Sequence, residues 1–437
     1  MNPIIKTVYA PDPSAHVWDD KGTLWIYASN DMPYSNNFDT MYSYHVFSTT
    51  DMVNFTDYGC VFNIDSCPWA AMQMFAIDAA YRHGKYYLIY CATDLESGIM
   101  RTGVAVSKNP QGPFVDQGKI ENTGLAMDPA LFTDDDGTPY LYYAGKNGPC
   151  VAQLYDDLMS VKTETVTELG EQLPYFFEGP FLHKYKGRYY LTYPGLKDGK
   201  WPQFMNYAVS DHPLGPFEYR GQYIPVFEGQ TGNNHGSVVE FKGKWYAFHH
   251  SMWISGKNCV RSMMCDYLEY DEKGDIKPIK PTKEGVCSTE ENGVYESKTT
   301  VLLDAAGAPL MKGKHVGIRC KTDIEGYTGD GYVEGFDKPQ YSLTVMAQAG
   351  IEYEARLKVR YMAPSGDVKM QMLVNGEFFS KPDMTPGCRI DKYSFKGCDS
   401  WQVADICDVT LKPGENYISI YSASGDIKID SVLLEEK

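Results

Sequence analysis

Five ionisable side chains stand at one recurring place in this chain: Asp12, Asp78, Asp128, Glu178 and His235 each come shortly before a hairpin whose second arm opens on a glycine. Three of them also approach a proline, as Asp12-Pro13, Asp128-Pro129 and Glu178-Gly179-Pro180. A lone Asp before Pro is ordinarily a turn former, and carboxylates are depleted in strands. Recurrence at equivalent repeat positions argues for a shared task instead. Carboxylates drawn together repel, so their proton affinities spread and one stays protonated near neutral pH while another ionises. An acid for a leaving oxygen, with a base or nucleophile across from it, is what cleavage of a glycosidic bond requires.

The elements that must position these groups are legible as repeats. KGTLWIYAS (from Lys21), HGKYYLIYC (from His83), DGTPYLYYA (from Asp136), KGRYYLTYP (from Lys186) and KGKWYAFHH (from Lys242) share a turn ending in Gly and an aromatic-rich run of strand composition. Their first arms also match: DPSAHVWDD, AIDAAYRH, MDPALFTDD, EGPFLHKYK and GSVVEFK. AVSKNPQGPF and AVSDHPLGPF echo each other further on in two of the units. A period of about 50 to 60 residues holding about four strands describes a propeller blade. The expected fold is therefore all-β, with a five-bladed β-propeller over residues 1–295 followed by a second domain over 300–437. That second domain has short strand-like runs such as YSLTVMAQA, IEYEARLKVRYMA and DIKIDSVLLEE, which predict a jelly-roll-like β-sandwich. In a propeller the innermost strands converge on the axis, so the five ionisable groups are expected to face one mouth.

Composition removes other classes. The 437-residue chain carries 57 acidic and 40 basic residues, a net charge of −17, which repels nucleic acid. With 43% hydrophobic and 22% charged residues it is globular rather than disordered. The 34 tyrosines suit pleated surfaces and flat platforms for sugar rings. No apolar stretch approaches the roughly 18 residues that cross a bilayer, so no membrane role is expected. The opening MNPIIKTVYAPDP does not read as a signal peptide; the compartment stays open between cytoplasm and export with a signal removed. The 11 cysteines show no CxxC pair, and free buried thiols are expected, with Cys60–Cys67 or Cys388 with Cys398 or Cys407 as the pairings in an exported protein.

The motifs YAPDPSAHVWDDKGTLWIYAS, QMFAIDAAYRHGKYYLIY, AMDPALFTDDDGTPYLYYAG, FFEGPFLHKYKGRYYLTY and NNHGSVVEFKGKWYAFHH together resemble glycoside hydrolase family 43 over roughly residues 5–290. The resemblance implies an inverting hydrolase of plant cell-wall oligo- or polysaccharides. Asp12 would serve as general base, Glu178 as general acid, and Asp128 as the carboxylate that raises the acid's pKa and orients it. Inversion needs room for a water, so the acid and base carboxyls are expected about 6.5–9.5 Å apart. The resemblance further implies a substrate contact from Arg261; Trp69 and Phe75 are candidate sugar platforms, the repeat position makes Asp78 a candidate contact, and Asp31 and Trp201 are additional candidates. Where the family more often has Trp-Ala-Pro-Asp, this chain has Phe-Ala-Ile-Asp at 75–78. His235 matches an axial histidine that in many members contacts a structural calcium through waters; no cofactor is expected for the chemistry itself. DGYVEGFDKPQYSLTV, WQVADICDVTLKPGENYISIYS and GDIKIDSVLLEE resemble carbohydrate-binding module family 6, which makes Tyr332 and Trp401 candidate sugar platforms.

The expected activity is release of arabinofuranosyl or xylosyl residues from arabinoxylan or xylo-oligosaccharides. An endo-arabinanase or a galactan-acting hydrolase of the same fold is the alternative within the class. A non-catalytic carbohydrate-binding propeller is the alternative outside it.

Overall fold

The computed structural model describes residues 1–18, 22–309, 312–338, 340–375 and 388–437. The chain divides into two compact units, Met1–Phe55 with Phe62–Ser297, and Thr56–Val61 with Lys298–Lys437. Assignment of Thr56–Val61 to the second unit has no counterpart in the sequence pattern. Among the described residues there is no α-helix.

The first unit contains five antiparallel sheets. The first blade runs through Ser14–His16, Leu24–Ser29, Ser43–Thr49 and Asn54–Asn63. The second uses Ile77–Arg82, Lys85–Asp94, Met100–Ser107 and Val115–Lys119, with the short strand Ala70–Met72 added at one end. Ala126–Thr133, Pro139–Gly145, Gly148–Gln153 and Thr167–Glu168 form the third; Phe181–Tyr185, Arg188–Lys197, Lys200–Ser210 and Glu218–Ile224 form the fourth. The fifth has three strands, Ser237–Phe241, Lys244–Ser251 and Ser262–Leu268, one fewer than the repeat suggests. Each blade's first long hairpin turns where the repeat glycine lies. In three of them the two central residues both have positive φ (His83 49° and Gly84 74°, Lys186 47° and Gly187 78°, Lys242 48° and Gly243 77°), the type I′ geometry that matches strand twist.

Innermost strands of successive blades adjoin in a closed cycle, first to second, second to third, and so on back from the fifth to the first. Apolar side chains fill the spaces between blades: Ile89, Val104, Leu131 and Leu141 between the second and third, Tyr142, Val151, Leu182 and Leu191 between the third and fourth, and Ile26, Phe47, Phe248 and Met263 between the fifth and first. This is why runs such as LWIYAS are apolar at consecutive positions rather than alternating. A blade is covered on both faces, so both faces of its strands must be apolar.

The ring closes on its own beginning. Ile4 donates its backbone N–H to Met263 O (3.0 Å) and Asn2 donates to Lys283 O (2.9 Å), which lays the first residues along the three-stranded fifth blade. The buried Asn2 side chain donates to Cys265 O (3.0 Å) and Thr282 O (2.9 Å) and accepts from Cys265 N (2.9 Å).

In the second unit, one sheet orders Lys314–Val316, Ser342–Ala349, Gly414–Ser424, Val368–Val374 and Cys388–Phe395. The facing layer joins Lys298–Asp304, Tyr353–Ala363, Cys398–Leu411 and Lys428–Glu436. Val301, Leu303, Val345, Leu357, Val359, Met370, Ile420 and Val432 form the core. Along Val368–Val374 fully buried residues alternate with more exposed ones, the signature of a sandwich strand with one wet face. Cys60, Cys67, Cys398 and Cys407 are all unbridged; the side chain of Cys388 lies outside the described residues.

Asn2→Ala strips three buried backbone partners from the closing seam. It is expected to lower the unfolding free energy by about 2–3 kcal/mol, read as a reduced midpoint in urea, without changing the shape of the pH–activity profile.

Candidate active site

Three carboxyls meet at the mouth of the ring. A hollow of about 300 Å³ is lined by Asp12, Asp128, Glu178, Arg261, His235 and Asn233, with Phe38, Met41, Phe75, Phe177 and Trp201 as its apolar wall. Every one of these belongs to the first unit. The acids come from the first, third and fourth blades, each just ahead of or within the innermost strand.

The backbone departs from regular structure to aim them. Asp12 (φ 56°) and Asp128 (φ 49°) both take the left-handed conformation although neither is glycine. Such residues cost energy and persist only where their surroundings hold them. At Asp128 the ladder with Pro139–Gly145 slips between Met127 and Ala130, so Asp128-Pro129 forms a bulge that turns the acid toward the axis. In the fourth blade the left-handed residue is Gly179 (φ 57°), next to Glu178. A Cβ at Gly179 would lie 3.1–3.2 Å from the His235 ring, so glycine is also what gives the imidazole its place.

Among the described residues Arg261 is the one Lys or Arg lining the hollow, and it is buried (2% exposed). Its Nε and Nη2 donate to the two oxygens of Asp31 (both 2.9 Å), and its backbone N–H adds a third bond to Asp31 (2.8 Å). That clamp leaves Nη1 to donate to Asp12 Oδ1 at 2.9 Å. The Phe38 ring packs 5.1 Å from the guanidinium carbon. Burial alone would raise the Asp12 carboxyl, but the Arg261 charge together with smaller contributions from His250 and His235 outweighs it and holds Asp12 well below the usual carboxylate range. Asp31 is itself raised by burial, with Arg261 opposing.

Glu178 has the opposite balance. Desolvation pushes its carboxyl up to about 7, with the Asp12 charge adding to the shift and a hydrogen bond from Gln203 opposing it. Asp128 is raised well above the ordinary value, first by burial and then by the charges of Glu178 and Asp12. Near neutral pH the hollow thus holds one firmly ionised carboxylate and two carboxyls reluctant to ionise. The Asp12 charge adds to the rise of Glu178, and Glu178 and Asp128 each oppose ionisation of the other.

Gln203 and His250 complete the machinery, and sequence reasoning missed both. Gln203 is fully buried, its Oε1 accepts the Asn234 backbone N–H (2.6 Å), and its amide must therefore face Glu178, donating to Oε1 at 2.8 Å. Nothing in the strand sequence KWPQFMNYAVS marks it. His250 lies in the noted KWYAFHH run. Its Nε2 faces Asn233 O (3.2 Å), which can only accept, so Nδ1 is left to receive the Asp12 backbone N–H (3.3 Å).

The remaining expected contacts divide. Phe75 and Trp201 line the hollow, Trp201 being 54% exposed with Phe177 edge-on at 5.2 Å. Asp31 does not line it; both its oxygens are taken by Arg261, so it positions that side chain. Asp78 is a tie between blades rather than a substrate contact, because its oxygens accept from Ser14 Oγ (2.5 Å), Ala79 N (2.7 Å) and Leu131 N (2.6 Å) and meet His16 Nε2 (2.8 Å). Trp69 stacks on Tyr90 (5.7 Å, 24°) against Gly103 and is absent from the lining. In the second unit Tyr332 is buried, with its hydroxyl on Asp323 (2.7 Å) and its ring against Trp401 (5.5 Å). Trp401 is pinned through Nε1 to Glu325 O (3.0 Å) and carries the Arg360 guanidinium 5.3 Å over its ring. Neither presents an open platform.

The surroundings of His235 do not fit a calcium ion. Its pKa is lowered to about 4 by burial, and the carboxylates whose charges act on it are Asp12 and Asp78. Asp12 is bonded to Arg261 and Asp78 is saturated. Among the described residues no group of three or more His, Cys, Asp or Glu side chains is placed to hold a metal.

A propeller with an axial hollow holding one ionised and one protonated carboxyl is the architecture of a glycoside-cleaving enzyme. The chain belongs to glycosyl hydrolases family 43, whose model matches residues 1–276. It is 36% identical to a xylosidase/arabinosidase 43A of Humicola insolens over 64% of this chain and 100% of that protein. It is 30% identical to an arabinoxylan arabinofuranohydrolase of Paenibacillus polymyxa over 71% of this chain and 58% of that one. A crystal structure of a family 43 beta-xylosidase/alpha-arabinofuranosidase from a compost microbial metagenome, with xylotriose, superposes with a TM-score of 0.57 at 36% identity, covering 65% of this chain and 98% of its own. An arabinoxylan arabinofuranohydrolase of Bacillus subtilis matches 100% of this chain and 97% of its own at a TM-score of 0.61, and at 22% identity it shows the fold of both units.

Gln203→Leu removes an N–H bond that favours ionised Glu178, so the carboxyl's midpoint is expected to rise from about 7 by roughly one to two pH units. Carbon-13 NMR titration of labelled Glu side chains reads that shift directly.

Proposed function

We propose that this chain is an inverting hydrolase that removes arabinofuranosyl or xylosyl residues from xylan-derived oligosaccharides. The observation that carries it is the charge division in the hollow, Asp12 ionised and Glu178 protonated, within a family whose similar members are named for these two sugars. The hollow's size is at the lower end for ligand sites, which suits a terminal sugar unit.

Asp12 serves as general base. One of its oxygens is bonded to Arg261, and the other has no protein donor among the described residues and is left to receive a proton from water. A carboxylate with so low a proton affinity is a weak base. That suits a transition state close to an oxocarbenium ion, which asks little proton removal from the attacking water. Glu178 serves as general acid. Gln203 occupies its Oε1, so the proton resides on Oε2, toward the leaving oxygen. Asp128, kept protonated by its burial and its two acidic neighbours, offers an O–H donor to a sugar hydroxyl, and the pair it forms with Glu178 resists carrying two charges at once. Phe75, Phe177 and Trp201 give apolar faces for the sugar rings.

Glu178→Gln is expected to slow hydrolysis of xylo- or arabinoxylo-oligosaccharides by about 10²–10⁴-fold while sparing substrates with activated phenol leaving groups. Equal losses on both would reject the acid role. Because Glu178 must be protonated, kcat/KM should fall as pH rises through about 7; because Asp12 must be ionised, the acid limb should lie below the ordinary carboxylate range. Proton NMR of fresh product checks the stereochemistry, and a retained anomer contradicts the assignment of Asp12 as base.

A further inference from the structure

A second cavity, of about 780 Å³, opens in the first unit and is lined by Phe227, Glu228, Trp253, Lys280 and Lys283 together with prolines and Val226. Its aromatic corner is fixed. Phe227 and Trp253 meet at right angles (6.1 Å, 88°), and Trp253 Nε1 donates to Glu228 O at 2.7 Å. Gly229 (φ 79°) presses its backbone against the indole so closely that a Cβ there would lie 2.0 Å from the ring. Only glycine allows that approach, and the half-buried indole cannot swing away. Val226 at the rim is 52% exposed.

The charges at this cavity are out of keeping with the chain. The protein carries a net charge of −17, yet two exposed lysines line this cavity, and among the described residues neither has a carboxylate partner within ion-pairing distance. Among the described residues Glu228 is the one acid in the lining, so against two lysines the lining keeps a net positive charge. A rigid aromatic corner with unpaired cations beside it suits a ligand with an apolar ring face and a carboxylate.

The lining of this cavity is also linked to the catalytic hollow along the chain and through hydrogen bonds. The segment lining it at Pro225–Gly229 runs directly into Asn233 and His235 of that hollow. Between the two, Gln230 donates to the carbonyl of Gln203, whose amide holds Glu178.

We infer that this cavity binds a uronic-acid-bearing saccharide, with a sugar ring against Trp253 and its carboxylate between Lys280 and Lys283. This rests on the hydrolase reading and names its substrate class more narrowly: xylan-type chains with acidic substituents.

The test titrates the Glu178→Gln protein, whose slowed hydrolysis spares ligands during the measurement, with a xylo-oligosaccharide carrying one glucuronate, the neutral oligosaccharide of equal length, and free glucuronate. The acidic oligosaccharide is expected to bind at least tenfold more tightly than either comparison. Lys280→Gln/Lys283→Gln should reduce it to the neutral level, 0.5 M salt should weaken it, and Trp253→Ala should weaken both oligosaccharides. Equal binding of acidic and neutral chains, or no change in the lysine variant, overturns the inference. Equal binding of free glucuronate reduces the cavity to an anion site and overturns the saccharide part. Both lysines are on the surface, so that variant should fold normally. In the otherwise native enzyme the two lysine substitutions should leave turnover of nitrophenyl pentosides unchanged; native protein inactive on those pentosides would refute the hydrolase reading, not this one.

Discussion

The guanidinium of Arg261, buried between Asp31 and Asp12, is the interaction on which the site depends. Three carboxyls crowd one desolvated hollow, and without a cation none would ionise readily near neutral pH. Asp31 determines which acid benefits, because it takes two of the arginine's three nitrogens and leaves the third aimed at Asp12. The charge thus secured on Asp12 then acts back on Glu178 and Asp128 and adds to the burial that keeps their protons in place. One buried ion cluster therefore separates the ionised carboxyl from the protonated ones, and it is built from side chains of the first and fifth blades.

The repeat made the propeller legible. Five glycine turns before aromatic runs locate the blades, and the acids that precede three of them are those that meet in the hollow. The pattern was silent where the structure leaves the repeat. The fifth blade is one strand short because residues near the start of the chain pack along it, and pairing across such a separation has no local signature. Thr56–Val61 clusters with the second unit although it continues a first-blade strand, for the same reason.

Within the site, position in the repeat located groups but not their employment. Asp78 occupies the place equivalent to Asp128, yet four hydrogen-bonding partners consume its carboxylate, whereas Asp128 is pushed into the hollow by a bulge that no local composition announces. Asp31 was legible as an acid near the site but its pairing with Arg261, some 230 positions away, was not. Trp69 looked like a sugar platform because it is aromatic; its ring instead fills the groove left by Gly103. Gln203 sits in an ordinary strand run and becomes functional only through the carbonyls and amides that surround it.

The seam of the ring has a consequence for synthesis. Asp12 emerges early, but its arginine and the strand that fastens Ile4 belong to the last blade to leave the ribosome. Contacts between such distant parts of a chain form late and slowly. The hollow consequently has no half-built form: a nascent propeller lacking its fifth blade would carry the acids without the cation that separates them, and so would have no cleaving activity until the circle is closed.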